Sequence, residues 1–178
     1  MWLLFFALVG ISSAKTVSGV TMPDTISLSN TVLQLNGMGL REKYWIDIYV
    51  AGLYIPQKMT NPNSVIKLNS PKEIRLEFIY SSVPKEKMIE VLEGHITQNP
   101  QFSKQTVDNI RVCESWMQDF TTTDTAKFTY IPDLGTSVTV NNTLKGTIQG
   151  TEFMEAIFSI YLGTVPASES LKQSLLGG

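Results

Sequence analysis

The sequence is poor in the groups on which most protein chemistry runs. Its 178 residues hold one cysteine, Cys113, and one histidine, His95. A lone cysteine closes no intrachain disulfide, and neither residue type is numerous enough to build a Cys- or His-rich metal centre. A Ser-His-Asp triad would have to use His95, and no serine sits in a nucleophile elbow. Positive charge is not in excess either: fourteen Lys and Arg stand against sixteen Asp and Glu, a net charge of −2. The basic stripe of a nucleic-acid binder is missing. Gly37-Met38-Gly39 lacks the third glycine and the following helix of a phosphate cradle. Asp119, Asp124, Asp133, Glu152 and Glu155 are spaced too irregularly to suggest paired carboxylates, and read as solvated surface. No metal and no cofactor is called for.

Long apolar runs are also scarce. The first 14 residues, from Met1 to Ala14, have no charged side chain and carry an apolar stretch from Trp2 to Val9. At about 20 residues a bilayer span would be longer than this. With Ser12 and Ala14 as small residues before Lys15, the segment reads as a secretory signal peptide, and the protein as exported to the periplasm. Residues 15–178 show no repeat, linker or low-complexity stretch and are expected to form a single domain. No later segment is apolar enough to cross a membrane. Cys113, between Ile110 and Trp116 in a helical pattern, reads as a packing residue. His95, at the edge of an apolar helical stripe, reads as a core-edge histidine.

What is present is an ordinary core: 43% hydrophobic residues and 10% aromatics. Ile26, Leu28, Val32, Leu33 and Leu35 give short strand-like signals. Asn36-Gly37 suits a hairpin turn, or, with Gly39, a strand lying close to another element. Trp45 to Ile55 is the longest predicted strand. From Lys72 to Val83, Ile74, Leu76, Phe78 and Tyr80 alternate with Arg75 and Glu77, so one sheet face is buried and the other polar. Pro84 opens a helix carrying Met88, Val91, Leu92 and Ile96, and Ser103 caps another, running through Ile110 and Cys113 to Met117 and Phe120. Strands follow around Phe128, Val138 and Leu144, with turns at Pro132-Asp133 and Asn141-Asn142. Glu152 to Leu162 forms a largely buried helix, and Ser168 to Leu175 a short final one. Strands and helices in segregated runs indicate an α+β fold.

The informative residue is Arg41. It follows the glycine-rich segment and precedes a strand dense in apolar groups and tyrosines, with Glu42-Lys43-Tyr44 as the predicted hairpin turn. A three-residue turn sets Arg41 opposite Trp45 and on the face of Asp47 and Tyr49. A two- or four-residue turn puts it with Ile46, Ile48 and Val50. A guanidinium stays charged when desolvated and offers a planar fork to a carboxylate, and a phenol adds a hydrogen bond. The alternative is a surface arginine paired with Asp47 or Glu42.

These residues resemble the chalcone isomerase-like family. The resemblance is carried by Leu35-Asn-Gly-Met-Gly-Leu-Arg41, Ile48-Tyr-Val-Ala-Gly-Leu-Tyr-Ile55, Leu76-Glu-Phe-Ile-Tyr-Ser-Ser-Val-Pro84 and Phe158-Ser-Ile-Tyr-Leu-Gly-Thr-Val-Pro166, with Leu171 to Gly177. The leader is similar to the bacterial, exported branch. The resemblance implies an open-faced β-sandwich: a large antiparallel sheet, helices packed on one face, and a ligand cleft between them. It also implies two kinds of function, cyclisation of a chalcone in the plant enzymes and fatty-acid binding without turnover in their relatives. Arg41 falls on the family arginine that meets an oxyanion or a carboxylate. Tyr49 falls where the enzymes carry a threonine, and so looks more like the binders. The enzymes' cleft tyrosine and asparagine fall on Pro84 and Val91, and their later hydroxyl residue falls near Met154. These departures favour a non-catalytic protein that binds a small amphipathic carboxylic acid, such as a fatty acid. Arg41 would hold the head, Tyr49 would bond it, Tyr54 is a weaker third contact, and the sheet and the Glu152–Leu162 helix would enclose the tail. The alternatives are an isomerase using Arg41 to stabilise the oxyanion of a phenolic substrate, and a structural domain with no ligand.

Overall fold

The computed structural model describes residues 13–178; the leader expected over residues 1–14 lies almost wholly outside them. Two strands, β1 (Ala14–Val17) and β2 (Val20–Pro23), form a separate hairpin. Seven more form one antiparallel sheet in strict chain order: β3 (Thr25–Leu28), β4 (Thr31–Lys43), β5 (Ile46–Ile55), β6 (Lys72–Phe78), β7 (Thr125–Ile131), β8 (Gly135–Val140) and β9 (Thr143–Ile148). The helices are α1 (Pro62–Ile66), α2 (Lys85–Gln98), α3 (Lys104–Ser115), α4 (Thr151–Leu162) and α5 (Glu169–Leu175). The fold is α+β: a large curled antiparallel sheet with helices packed on one face, as expected.

Period-two alternation sorts the sheet's side chains. Ala51, Leu53, Ile74, Leu76, Phe78, Phe128 and Val138 enter the main core beneath the helices, where α4 lays down Phe153, Ile157, Phe158 and Tyr161. On the reverse face Leu33, Leu35, Met38, Val50 and Tyr54 pack against Val20 and Met22 of the β1–β2 hairpin. That hairpin covers part of the face that alternation in β6 marks as polar.

Three points adjust the sequence reading. Of the two readings of the glycine-rich segment the strand holds and the turn does not: β4 runs through it for 13 residues and, rather than Trp45–Ile55, is the longest strand. Its register slips between Leu35 and Gly37, and the Asn36 side chain uses the bulge to donate to the Met59 and Leu175 carbonyls at 2.9 and 2.8 Å. Gly37 and Gly39 then present bare backbone to α5, where an added Cβ would overlap Ser174 and Leu175. Second, α3 stops at Ser115, and Phe120 instead makes an isolated bridge to Val83. Third, the short helix α1 went unseen because a single turn carries too little periodicity; Asn61 caps it and Pro62 opens it.

Candidate functional site

The site grows from the β4–β5 hairpin. Its turn is the two residues Tyr44 and Trp45, with Lys43 paired to Ile46 and Glu42 to Asp47. A regular ladder from there would put Arg41 opposite Ile48. The register shifts instead, Ile48 bulges out, and Arg41 pairs directly with Tyr49. The turn thus has the two residues of the second reading, while the face, shared with Tyr49, is that of the first. The two side chains stand on directly opposed strand positions, about 5 Å apart at Cα.

Arg41 also shares its face with Gly37 and Gly39. The glycines let α5 settle on β4, and Arg41 is the next residue on that face, where the cover ends. It is half-buried and lines a cleft of about 280 Å³. The remaining walls come from Tyr49 and Ile48 of β5, Val83 and Pro84, the first half of α2 with Lys87, Met88 and Val91, and Tyr161 of α4. Lys43, Tyr44, Ile46 and Tyr80 form the mouth. The wall opposite the sheet is therefore α2, and α4 contributes only Tyr161, contrary to the expected cavity under the Glu152–Leu162 helix. Pro84 and Val91 do reach the cleft, whereas Met154 is fully buried away from it.

The polar groups of the cleft are three cations, Ser82, the tyrosines Tyr44 and Tyr80 at the mouth, and two buried phenols within. Tyr49 and Tyr161 are 6% and 4% exposed. Burial pushes the Tyr49 pKa up to about 12 even though the Arg41 charge pulls it down. Tyr161 is driven well above the usual phenol value by burial and by its neighbour Tyr49. At neutral pH both are O–H donors. The Tyr49 ring is fixed edge-on to Phe78 at 5.5 Å, and Phe78 stacks on Phe120 at 4.1 Å. Arg41 Nη1 donates to the Glu42 backbone carbonyl at 2.8 Å. Among the described residues no carboxylate lies within salt-bridge distance of it, so the expected alternative of an ion pair with Asp47 or Glu42 is not what the side chain does. Lys43 and Lys87 are the other cations, and Lys87 pairs with Glu90.

Tyr54 is placed elsewhere. It points to the reverse face, donates to the Pro23 carbonyl at 2.9 Å and packs under Arg75, so it does not reach the cleft. Tyr54 lies five positions beyond Tyr49 on the same strand, and that odd offset puts it on the far side of the sheet. Tyr161 was missed because α4 is apolar around most of its circumference, and nothing in its spacing separates a cleft phenol from a core one. His95 is buried, shares a hydrogen bond of 2.8 Å with Ser159 Oγ, and has its pKa lowered by burial. Ser159 Oγ donates onward to the Ala156 carbonyl, so this pair ties α2 to α4 rather than presenting a nucleophile. Cys113 is fully buried, with its thiol pushed up to about 12, as a packing residue should be. Among the described residues no group of His, Cys, Asp and Glu could hold a metal.

An antiparallel sheet open on one side, with a half-buried arginine and two phenols in a cleft under the first long helix, defines an architecture that known proteins share. The model of the chalcone isomerase-like family matches residues 14–177, and the chain belongs to that family. Among solved structures it is similar to a fatty-acid binding protein of Arabidopsis thaliana, with a TM-score of 0.72 and 16% identity over 92% of this chain and 96% of that one. No curated protein sequence matches it.

Proposed function

We propose that the protein is a non-catalytic binder of a small amphipathic carboxylic acid, such as a fatty acid, held in the Arg41 cleft. The observation that carries this reading is the state of Arg41: a half-buried guanidinium, opposed to a buried phenol, in a cleft with apolar walls, whose fork meets a backbone carbonyl but, among the described residues, no carboxylate. A buried charge is normally answered by a counter-charge, and a ligand carboxylate supplies it bidentately. Tyr49 and Tyr161 add neutral donors to the same head. The tail lies along Ile48, Val83, Met88 and Val91, each buried methylene contributing about 0.8 kcal/mol, so the tail supplies affinity and the arginine orientation. The similarity to a plant protein named for fatty-acid binding points the same way.

Cyclisation is disfavoured by the positions at which the enzymes carry their cleft tyrosine and asparagine. Here they are Pro84 and Val91, which line the cleft but can donate no side-chain hydrogen bond. The leader and the resemblance to the exported bacterial branch extend the reading: the first 14 residues direct export, and residues 15–178 act in the periplasm as one domain.

Titration with fatty acids of increasing length tests the reading. Affinity should rise with each methylene until the cleft is full, and native mass spectrometry of undelipidated protein should show a bound acid. Recovery of no acid, together with titrations unchanged by Arg41→Ala, would sink it.

A further inference from the structure

The mouth of the cleft continues into an exposed aromatic tip. Tyr44 and Trp45, at the turn of the β4–β5 hairpin, are 79% and 91% exposed, with Ile46 and Tyr80 beside the cleft at 40% and 39%. Tyr44, Ile46 and Tyr80 also line the cleft, so patch and cleft form one apolar surface. The turn is built against local preference. Both residues take positive φ, 53° and 61°, where Asn-Gly is favoured and a bulky side chain is strained. Trp45 packs into neither core, so the folded chain alone gains nothing from keeping it there.

The charges beside the tip are sorted too. Every charged side chain lining the cleft is a cation, Arg41, Lys43 and Lys87, on a chain whose net charge is −2. Lys43 stands 5.6 Å over the Tyr44 ring. Glu90 offsets Lys87, and the exposed Glu42 and Asp47 sit behind the turn on the strands. Tryptophan and tyrosine, each with an apolar body and a polar edge, settle at the headgroup level of a bilayer, and neighbouring lysines favour anionic lipid.

We propose that the Tyr44–Trp45 tip docks on an anionic phospholipid bilayer and seats the mouth of the cleft on the membrane. The docking stands apart from acid binding and rests on that reading only for its purpose, which is to let an acid pass between bilayer and cleft without crossing bulk water. A second copy of the chain is the competing occupant.

Co-sedimentation with phosphatidylcholine vesicles, with and without phosphatidylglycerol, tests it. The protein should pellet with the anionic vesicles and less with the neutral ones. Trp45→Gly should weaken vesicle binding about tenfold or more, the scale of one lost aromatic anchor. Because glycine accepts the positive φ, the same change should raise Tm by about 2–4 °C, which separates lost docking from lost folding. Trp45→Asn, which also tolerates that backbone region, should lose vesicle binding in the same way. Dodecanoate titration without vesicles should be unaffected by either variant, since Trp45 does not line the cleft. Wild-type protein that ignores both vesicle types overturns the proposal, as does Trp45→Gly protein that pellets like wild type. Self-association in sedimentation velocity that Trp45→Gly abolishes, without vesicle binding, reassigns the tip to a second copy. A flat dodecanoate titration with vesicle binding intact would overturn the acid-binding reading and leave the docking standing.

Discussion

Two arginine–tyrosine pairs stand on opposite faces of the same sheet. On the reverse face Arg75 lies over the Tyr54 ring at 5.3 Å and donates through Nε and Nη2 to Glu73 at 3.0 and 2.8 Å, while Thr129 donates to the other Glu73 oxygen at 2.8 Å. On the helix face Arg41 opposes Tyr49 and finds a backbone carbonyl but, among the described residues, no carboxylate. The first guanidinium is answered from within the chain; the second is left to be answered from outside. Lys72 is a third case. Fully buried, it donates to the Val65 and Ile66 carbonyls at 2.8 and 2.7 Å and lies 4.4 Å over the Phe158 ring, and burial lowers its pKa to about 7. A lysine can shed its proton in such a place, and an arginine cannot. Where water is largely excluded, a charge that must persist is therefore better carried by arginine.

The largest effect should come from breaking the satisfied pair. Glu73→Ala strands the partly buried Arg75 and is expected to destabilise the protein by about 3 kcal/mol in urea denaturation. Adding Arg75→Met should recover much of that loss. On the other face, Arg41→Met removes a charge with no internal partner, so stability should change by less than about 1 kcal/mol. Dodecanoate affinity should fall about 10- to 100-fold by calorimetry, the usual worth of a charged hydrogen bond. Equal destabilisation by the two changes would erase the distinction between the pairs.

Lys72 sharpens the comparison through pH. Its folded pKa of about 7 lies below its ordinary 10.5, so between those values the unfolded chain holds more protons. Stability should therefore climb as pH rises through that interval, by roughly 1–2 kcal/mol from pH 7 to 9, and the gain should be absent below about 7. Urea midpoints across that range check it, and Lys72→Met should flatten the slope. The smallest change is Tyr49→Phe, which keeps the ring against Phe78 and removes one donor. Acid affinity should drop about 3- to 10-fold with Tm nearly unchanged.

Much of the fold was legible because its signals are local. Alternation in β6, Ser103 as a cap and the paired asparagines at the β8–β9 turn each act within a few residues. Arg41 was legible through the company it keeps in the chain. The residues around it were not, because a bulge is a register event. Ile48 carries no mark distinguishing an extra residue from a paired one, yet its displacement decides that Tyr49 joins Arg41 and that Tyr54 does not. The cleft wall was misplaced for a related reason. Periodicity reports that α4 is buried and α2 amphipathic, but a wall beside a ligand is neither fully buried nor plainly polar, so the more apolar helix drew the assignment.

The seven strands follow one another around the sheet, so most of it can assemble by successive hairpins between near neighbours. The contact between Asn36 and Leu175 spans 139 residues and fastens α5 onto the strand that carries Arg41. Until residues 169–175 dock, the helix-facing side of that strand stays bare, although β3 and β5 already pair both its edges. A chaperone that shields exposed faces would meet this one on a sheet otherwise complete, and a chain cut before α5 would keep the sheet and lose its clasp.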